Sequence, residues 1–164
     1  MNVAEAIRTK RAVRRFTDQP VPEEAIRAIL NAGRRSQSSK NTQPWQFVAI
    51  RDRNTLKQLS ECGDYARHLA GAAFAVAIIS PEPTGFDQGQ AAAYMQLAAW
   101  ELGIGSCIAS IYEPERAKAI LGVPNELHFD IALSFGYPDP AQQPAAPRLG
   151  GRKPLDEMVH WEGW

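Results

Sequence analysis

Apolar positions change period several times along the chain, and each change marks a change of element. Val3, Ala6 and Ile7 recur at helical spacing behind an Asn2–Glu5 capping box, which predicts a short opening helix. Ile26, Ile29 and Leu30 repeat the pattern in a second helix that opens at Pro22. Glu23 and Glu24 sit at its positive end and Gly33 is placed to stop it. Gln46–Ile50 reads as a strand, and Leu56, Leu59 and Cys62 mark a third helix. Residues 72–79 form an unbroken apolar run closed by Ser80-Pro81. It suits a central strand buried on both faces, although periodicity alone does not separate that from a buried helix. Asp87 is expected to cap a long Ala-rich helix over 88–102, with Gly103 closing it. Residues 106–111 are strand-like, and 114–121 are helical with Pro114 near the start and Gly122 as stop. Phe129, Ile131, Leu133 and Phe135 alternate along a last strand, which predicts one heavily packed face. The order helix, helix, strand, then helix and strand three times over predicts an α/β (α+β) sandwich. A mixed central sheet lies between helices, in a single domain over 1–164 with no internal repeat.

The pattern stops at residue 138. Four prolines fall in the ten residues 138–147, so this segment is expected to be an extended arm. At about 3.1 Å per residue, ten such residues reach roughly 30 Å, the width of a small domain. Beyond it Leu155, Met158, Val159, Trp161 and Trp164 require burial. An arm over 138–164 wrapped around a second copy, giving a homodimer, meets that need, and a tail folded onto its own domain is the alternative.

Composition narrows the function. Lys plus Arg (18) equals Asp plus Glu (18), and this neutral balance argues against a dedicated nucleic-acid binder. Two cysteines make no disulfide framework and no metal-ligand spacing. No apolar run approaches the ~20 residues that span a bilayer, and no signal-peptide core opens the chain. The expectation is a cytoplasmic protein with no membrane association.

Against this neutral background, Arg8, Lys10, Arg11, Arg14 and Arg15 crowd five cations into the nine residues Arg8–Phe16. Arg forks match phosphate oxygens, and Arg152 from the far end could reinforce them. If the stretch is helical, Lys10 and Arg14 share one face and Arg11 and Arg15 the next. A solvated helix face is the competing reading. The loop Ser38-Ser39-Lys40-Asn41-Thr42-Gln43 before Pro44-Trp45 offers hydroxyls, amides and backbone donors suited to the edge of a flat ring. Gly103-Ile104-Gly105-Ser106 fails the dinucleotide fingerprint, because Ile108 stands where the third glycine belongs. His68, His128 and His160 are isolated, and no nucleophile–base pair emerges. That absence suits a cofactor that carries the chemistry itself.

Five motifs in order resemble the FMN-dependent nitroreductase family: Lys10–Phe16, Ser38–Phe47, Leu102–Cys107, Gly136-Tyr137-Pro138, and Arg152–Leu155 through Val159-His160-Trp161. The resemblance implies a nitroreductase-like three-layer sandwich whose C-terminal arm is exchanged in a homodimer, with FMN at the interface. Lys10, Arg11, Ala12, Arg14 and Arg152 would surround the phosphate and ribityl side. Ser38, Ser39, Asn41 and Gln43 would approach the ring from the partner subunit, and the backbone of Ile108, Ala109 and Ser110 would line its N5 edge. No side chain is expected to be catalytic and no metal is expected. The implied activity is ping-pong transfer from NAD(P)H to a nitroaromatic, quinone or similar small-molecule acceptor. Flavin destruction, reductive dehalogenation, or flavin binding and redox sensing with little turnover are the alternatives. Ala12 replaces the family's usual serine, and the short connections at 61–72 and 80–87 imply an open site.

Overall fold

The computed structural model describes residues 1–141 and 151–164. Among the described residues nine α-helices and strands follow one another: α1 (Val3–Thr9), α2 (Glu23–Arg34), β1 (Gln46–Ile50), α3 (Arg53–Ser60), β2 (Phe74–Ser80), α4 (Phe86–Glu101), β3 (Gly105–Ser110), α5 (Pro114–Leu121) and β4 (His128–Gly136). This is the predicted order. The Asn2 side chain accepts the Glu5 N–H at 2.9 Å, so the expected N-cap forms. Gly122 ends α5 with φ 65°, and Gly103 follows α4 with φ 74°, both left-handed positions where a Cβ is penalised.

The strands form one sheet in the order β1-β2-β4-β3, with every neighbouring pair antiparallel. Among the described residues the expected mixed character is confined to one parallel bridge, Ala12 to Ser106. All seven residues of β2 are buried, as its unbroken apolar run requires. Phe74 on β2 and Phe135 on β4 are direct cross-strand partners with stacked rings, centroids 4.7 Å apart.

Two cores cover the two faces. Val76, Ile78, Leu133 and Phe135 pack under α2 and α4, together with Ile29 and Met95. Ala75, Ala77, Ile79, Ala132 and Phe129 pack under α3 and α5, together with Leu56, Leu59 and Ala117. Phe129 therefore does not share the face of Ile131, Leu133 and Phe135. Ile78 pairs with Ile131 but Ile79 pairs with Phe129, so Asp130 is the extra residue of a bulge that turns Phe129 over. Asp130 is put to use: its carboxylate accepts the Thr84 N–H at 2.7 Å and holds the β2–α4 turn.

Two helix ends differ from expectation. α2 runs past Gly33, which is buried because a Cβ there would stand 2.8 Å from Met95 Cγ. Its glycine permits α2 to lie close on α4. α4 begins at Phe86, and Gly85 caps it, with the Gln88 side chain accepting the Gly85 N–H at 2.9 Å. Asp87 lies in the first turn and has another task, described below.

Candidate functional site

The basic stretch is extended, not helical. α1 stops at Thr9, and Lys10 turns the chain out with φ −55° and ψ 132°. The following residues dock along the ends of β3 and β4. Val13 N–H donates to Ser106 C=O and Thr17 N–H to Tyr137 C=O, each at 2.9 Å, and Phe16 bridges Pro138. Competition decided this: backbone groups at a sheet end need partners, and this segment supplies them. Two glycines admit it. A Cβ on Gly105 would stand 2.7 Å from Val13 Cβ, and one on Gly136 2.9 Å from Phe16 Cβ. Positions four apart share a side in extended chain as in helix, so Lys10 and Arg14 remain together.

Lys10 is half-buried and its Nζ donates to Gln96 Oε1 of α4 at 3.1 Å. Burial pushes its ammonium below the ordinary lysine range; Cys107 opposes this, and Arg152 adds to it. The C-terminal Arg152 thus stands close enough to act on the N-terminal cation. Burial raises the Cys107 thiol, while Arg14 and Lys10 both pull it down. Lys10 and Arg14 both act on Cys107, and Arg152 acts on Lys10. Arg11 does not join them in this chain, because its Nη1 donates to the carbonyls of Arg8 and Lys10 at 2.9 Å each. Ala12 is exposed and contributes its backbone to the bridge with Ser106.

β3 is an edge strand, and its outer edge is covered at both ends. Val13 takes Ser106 at one end. At the other, Tyr112 and Glu113 N–H donate to Cys62 C=O, and Gly63 lies so close to Ser110 C=O that a Cβ would collide with it. Between these covers stands Ile108. Backbone polar groups alternate sides in an antiparallel strand, so its N–H points out as the Ser106 carbonyl does. Its side chain is 44% exposed. Ala109 turns to β4 and is buried, and Ser110 is exposed.

The polar loop stands elsewhere. A 3₁₀ turn at Ser39–Asn41 leaves Lys40, Asn41 and Gln43 with φ of 50°, 56° and 49°. Three non-glycine residues in the left-handed region store strain that the surroundings must hold. Ser38 Oγ accepts the Gln43 N–H at 2.9 Å, and Asp87 accepts the Ser39 N–H at 3.0 Å. Trp45 is buried and anchors the loop to the core. Ser39 is thus tied to residue 87 of α4, whereas Lys10 is tied to residue 96. Nine residues at 1.5 Å each put these anchors about 13 Å apart along the helix. One chain brings the cations and the β3 edge together, and holds the Ser38–Gln43 loop at the other end of α4.

Two further features escaped the sequence pattern. His68, from a 3₁₀ turn at Arg67–Leu69, is buried with Nδ1 2.7 Å from Ser134 Oγ behind β3. An isolated histidine carries no spacing signal that would have found it. At the opposite sheet edge, Leu30, Trp45 and Phe47 line an open cavity of about 570 Å³ rimmed by Arg27, Asn31 and Arg34. Every residue of 151–164 is exposed, Trp161 and Trp164 among them. The expected extended arm lies partly in residues 142–150, outside the described residues. Among the described residues no helix is long and apolar enough to cross a membrane.

Known proteins resemble this sequence and share this fold. The Nitroreductase family profile matches residues 7–83 and 83–137. An Archaeoglobus fulgidus protein named as an NADH dehydrogenase/NAD(P)H nitroreductase is 35% identical over 80% of this chain and 83% of its own. A Methanothermobacter thermautotrophicus protein of the same name is 30% identical over 100% of this chain and 88% of its own. The solved FMN-dependent nitroreductase of Clostridium difficile superposes with a TM-score of 0.85 at 26% identity, over 99% of this chain and 100% of that one. The chain belongs to the nitroreductase family.

Proposed function

We propose that this protein is an FMN-dependent oxidoreductase that takes reducing equivalents from NAD(P)H. It passes them to nitroaromatics, quinones or similar acceptors in a ping-pong cycle. The observation that carries the reading is the exposed Ile108 edge of β3 beside Cys107, on which Lys10 and Arg14 act, with Arg152 from the far end of the chain acting on Lys10. These residues fit FMN: three cations suit a phosphate dianion, and an outward N–H at an open strand edge suits a flat heterocycle. When bound, FMN supplies the electron- and hydride-transfer chemistry with its own atoms.

The protein's work is to bind, orient and set the local field. Lys10, Arg14 and Arg152 hold the phosphoryl group, and their positive field favours negative charge in the site. Arg11 would have to leave the Arg8 and Lys10 carbonyls to take part, and Ala12 offers no hydroxyl there. Ile108, Ala109 and Ser110 form the rigid wall.

Ser38, Ser39, Asn41 and Gln43 complete the site from a second copy, because their own chain holds them about 13 Å along α4 from the cations. A homodimer is thereby part of the proposal, and its arm has a berth. The tail Leu155–Trp164 carries aromatic side chains with Asp156, Glu157 and Glu162. The cavity at β1 is apolar with Arg27 and Arg34 at its rim. Cytoplasmic location and one domain over 1–164 remain part of the same reading.

The test is the absorption spectrum of the purified protein and its FMN dissociation constant. Arg14→Ala and Arg152→Ala each remove charge-assisted hydrogen bonds of about 1.5–3 kcal/mol, so each should weaken FMN binding roughly 10- to 150-fold without unfolding the apoprotein. Flavin affinity unchanged in both variants would refute the assignment.

A further inference from the structure

Asp87 sits where a helix cap is expected, yet the cap is made without it. The Gly85 N–H donates to Gln88 Oε1 at 2.9 Å and closes the start of α4. The Asp87 carboxylate instead reaches away from its own helix and accepts the Ser39 N–H at 3.0 Å, across 48 positions of chain. Three residues further along α4, Gln90 Nε2 donates to Gln37 C=O at 3.4 Å. Residues three apart share a side of a helix, so one side of α4 holds the entry to the Ser38–Gln43 loop.

That loop needs holding. Lys40, Asn41 and Gln43 are all left-handed, with φ of 50°, 56° and 49°, and none is glycine. Such a conformation persists only where its surroundings over-determine it. Within the loop, Ser38 Oγ accepts the Gln43 N–H at 2.9 Å, and the Asn41 and Thr42 N–H groups donate to the Ser38 and Ser39 carbonyls at 3.0 Å each. These bonds fix the loop's shape but not its place on the molecule. Its place is set by Asp87 and Gln90 on one side and by buried Trp45 on the other. Of the two polar ties, the bond to the Asp87 carboxylate is the shorter and the stronger.

We propose that Asp87 is a positioning residue for flavin: through the Ser39 N–H it sets the Ser38–Gln43 loop where the cradle of a second copy needs it. Asp87 itself touches no cofactor. Its own chain's cradle is anchored at Gln96 through Lys10, about 13 Å further along α4, so the effect of Asp87 belongs to the site of the other copy. A loop held before flavin arrives has little ordering left to undergo on binding. A loosened loop must be ordered by the ligand, and affinity falls. This rests on the FMN reading of the site.

The experiment measures FMN dissociation constants by flavin fluorescence quenching, with thermal melting of the apoprotein beside it. Asp87→Ala should weaken FMN binding roughly 10- to 150-fold. The apoprotein should stay folded, because Gly85 and Gln88 keep the α4 cap. Asp87→Asn retains an oxygen for the Ser39 N–H and should fall between wild type and Asp87→Ala. An asparagine variant that binds no better than alanine, or an alanine variant that melts lower yet binds FMN like wild type, overturns the positioning role. Mixed dimers test whether it acts across the two copies. Arg14→Ala and Asp87→Ala chains with different affinity tags are co-expressed and purified through both tags. In the mixed dimer one site combines the intact cradle of the Asp87→Ala copy with the intact loop of the Arg14→Ala copy. One tight FMN per mixed dimer, absent from either variant alone, is the expected result. No tight site, or tags that fail to co-purify, overturns the inference. If Arg14→Ala weakens FMN binding and Asp87→Ala does not, the flavin reading stands and this inference falls. Wild-type protein that binds no FMN overturns both.

Discussion

Gly105→Ala separates docking of the basic segment from the integrity of the core. Gly105 has an ordinary backbone conformation, so alanine costs nothing there conformationally and the whole effect comes from space. The new Cβ would stand 2.7 Å from Val13 Cβ and Cγ2 and 2.9 Å from Cγ1. Ordinary van der Waals contact begins near 3.4 Å, so Val13 must retreat by about 0.7 Å. Val is stiff at χ1 and cannot swing aside, and its N–H is held to Ser106 C=O at 2.9 Å. The retreat therefore passes to the backbone that carries Lys10 and Arg14. Overpacking of this kind costs about 1–3 kcal/mol. If it is expressed in the cradle, FMN binding weakens roughly 5- to 150-fold. About 2 kcal/mol would lower Tm by roughly 4–8 °C in a chain of this size. Flavin fluorescence quenching and thermal melting measure the two effects. The double variant Gly105→Ala, Val13→Ala removes both crowded methyls but keeps the 2.7 Å contact to the residue 13 Cβ, so it should recover only part of each loss. A single variant that binds and melts like the wild type would refute the reasoning that this glycine exists to admit Val13.

Three other outcomes follow from the packing and the titrating groups. Phe129→Ala empties a fully buried site under α3 and α5 and should cost about 3–5 kcal/mol in denaturant unfolding, whereas an exposed-aromatic control, Phe86→Ala, should stay within about 0.5 kcal/mol. His68 is held below its ordinary value of 6.5, chiefly by burial and then by Arg14, so below that pH the unfolded chain binds a proton that the folded apoprotein refuses. Its contribution is complete above 6.5 and is lost as pH falls through the folded value; His68→Gln should flatten that part of the acid-side stability curve, and an unchanged slope would contradict the assignment. Lys40→Gly at φ 50° relieves left-handed strain at the expense of glycine entropy, so equilibrium unfolding should register between no change and about 1 kcal/mol of stabilisation. Marked destabilisation would mean that the Lys40 side chain holds the loop.

The sequence by itself determined the order of elements, because apolar period is a local property. The Asn2–Glu5 cap, the buried run of β2, and the stops at Gly103 and Gly122 each depend on a few neighbouring residues and are legible without a fold. Five short motifs in order were likewise enough to point to the family. Only the tertiary structure decided what depends on partners distant in sequence. Residues 10–17 are extended because the free ends of β3 and β4 accept their backbone, which outweighs a helical spacing of cations. Phe129 faces α3 and α5 because one extra residue, Asp130, enters β4, and a period of two cannot survive an insertion of one. Gly33 serves the α2–α4 contact instead of a helix end, since Met95 lies 62 positions away. The cations and the Ser38–Gln43 loop read as counterparts along the chain, yet α4 holds them apart at two of its turns. His68 gained its place beside Ser134 from a strand 66 residues later, a proximity that no spacing along the polypeptide encodes.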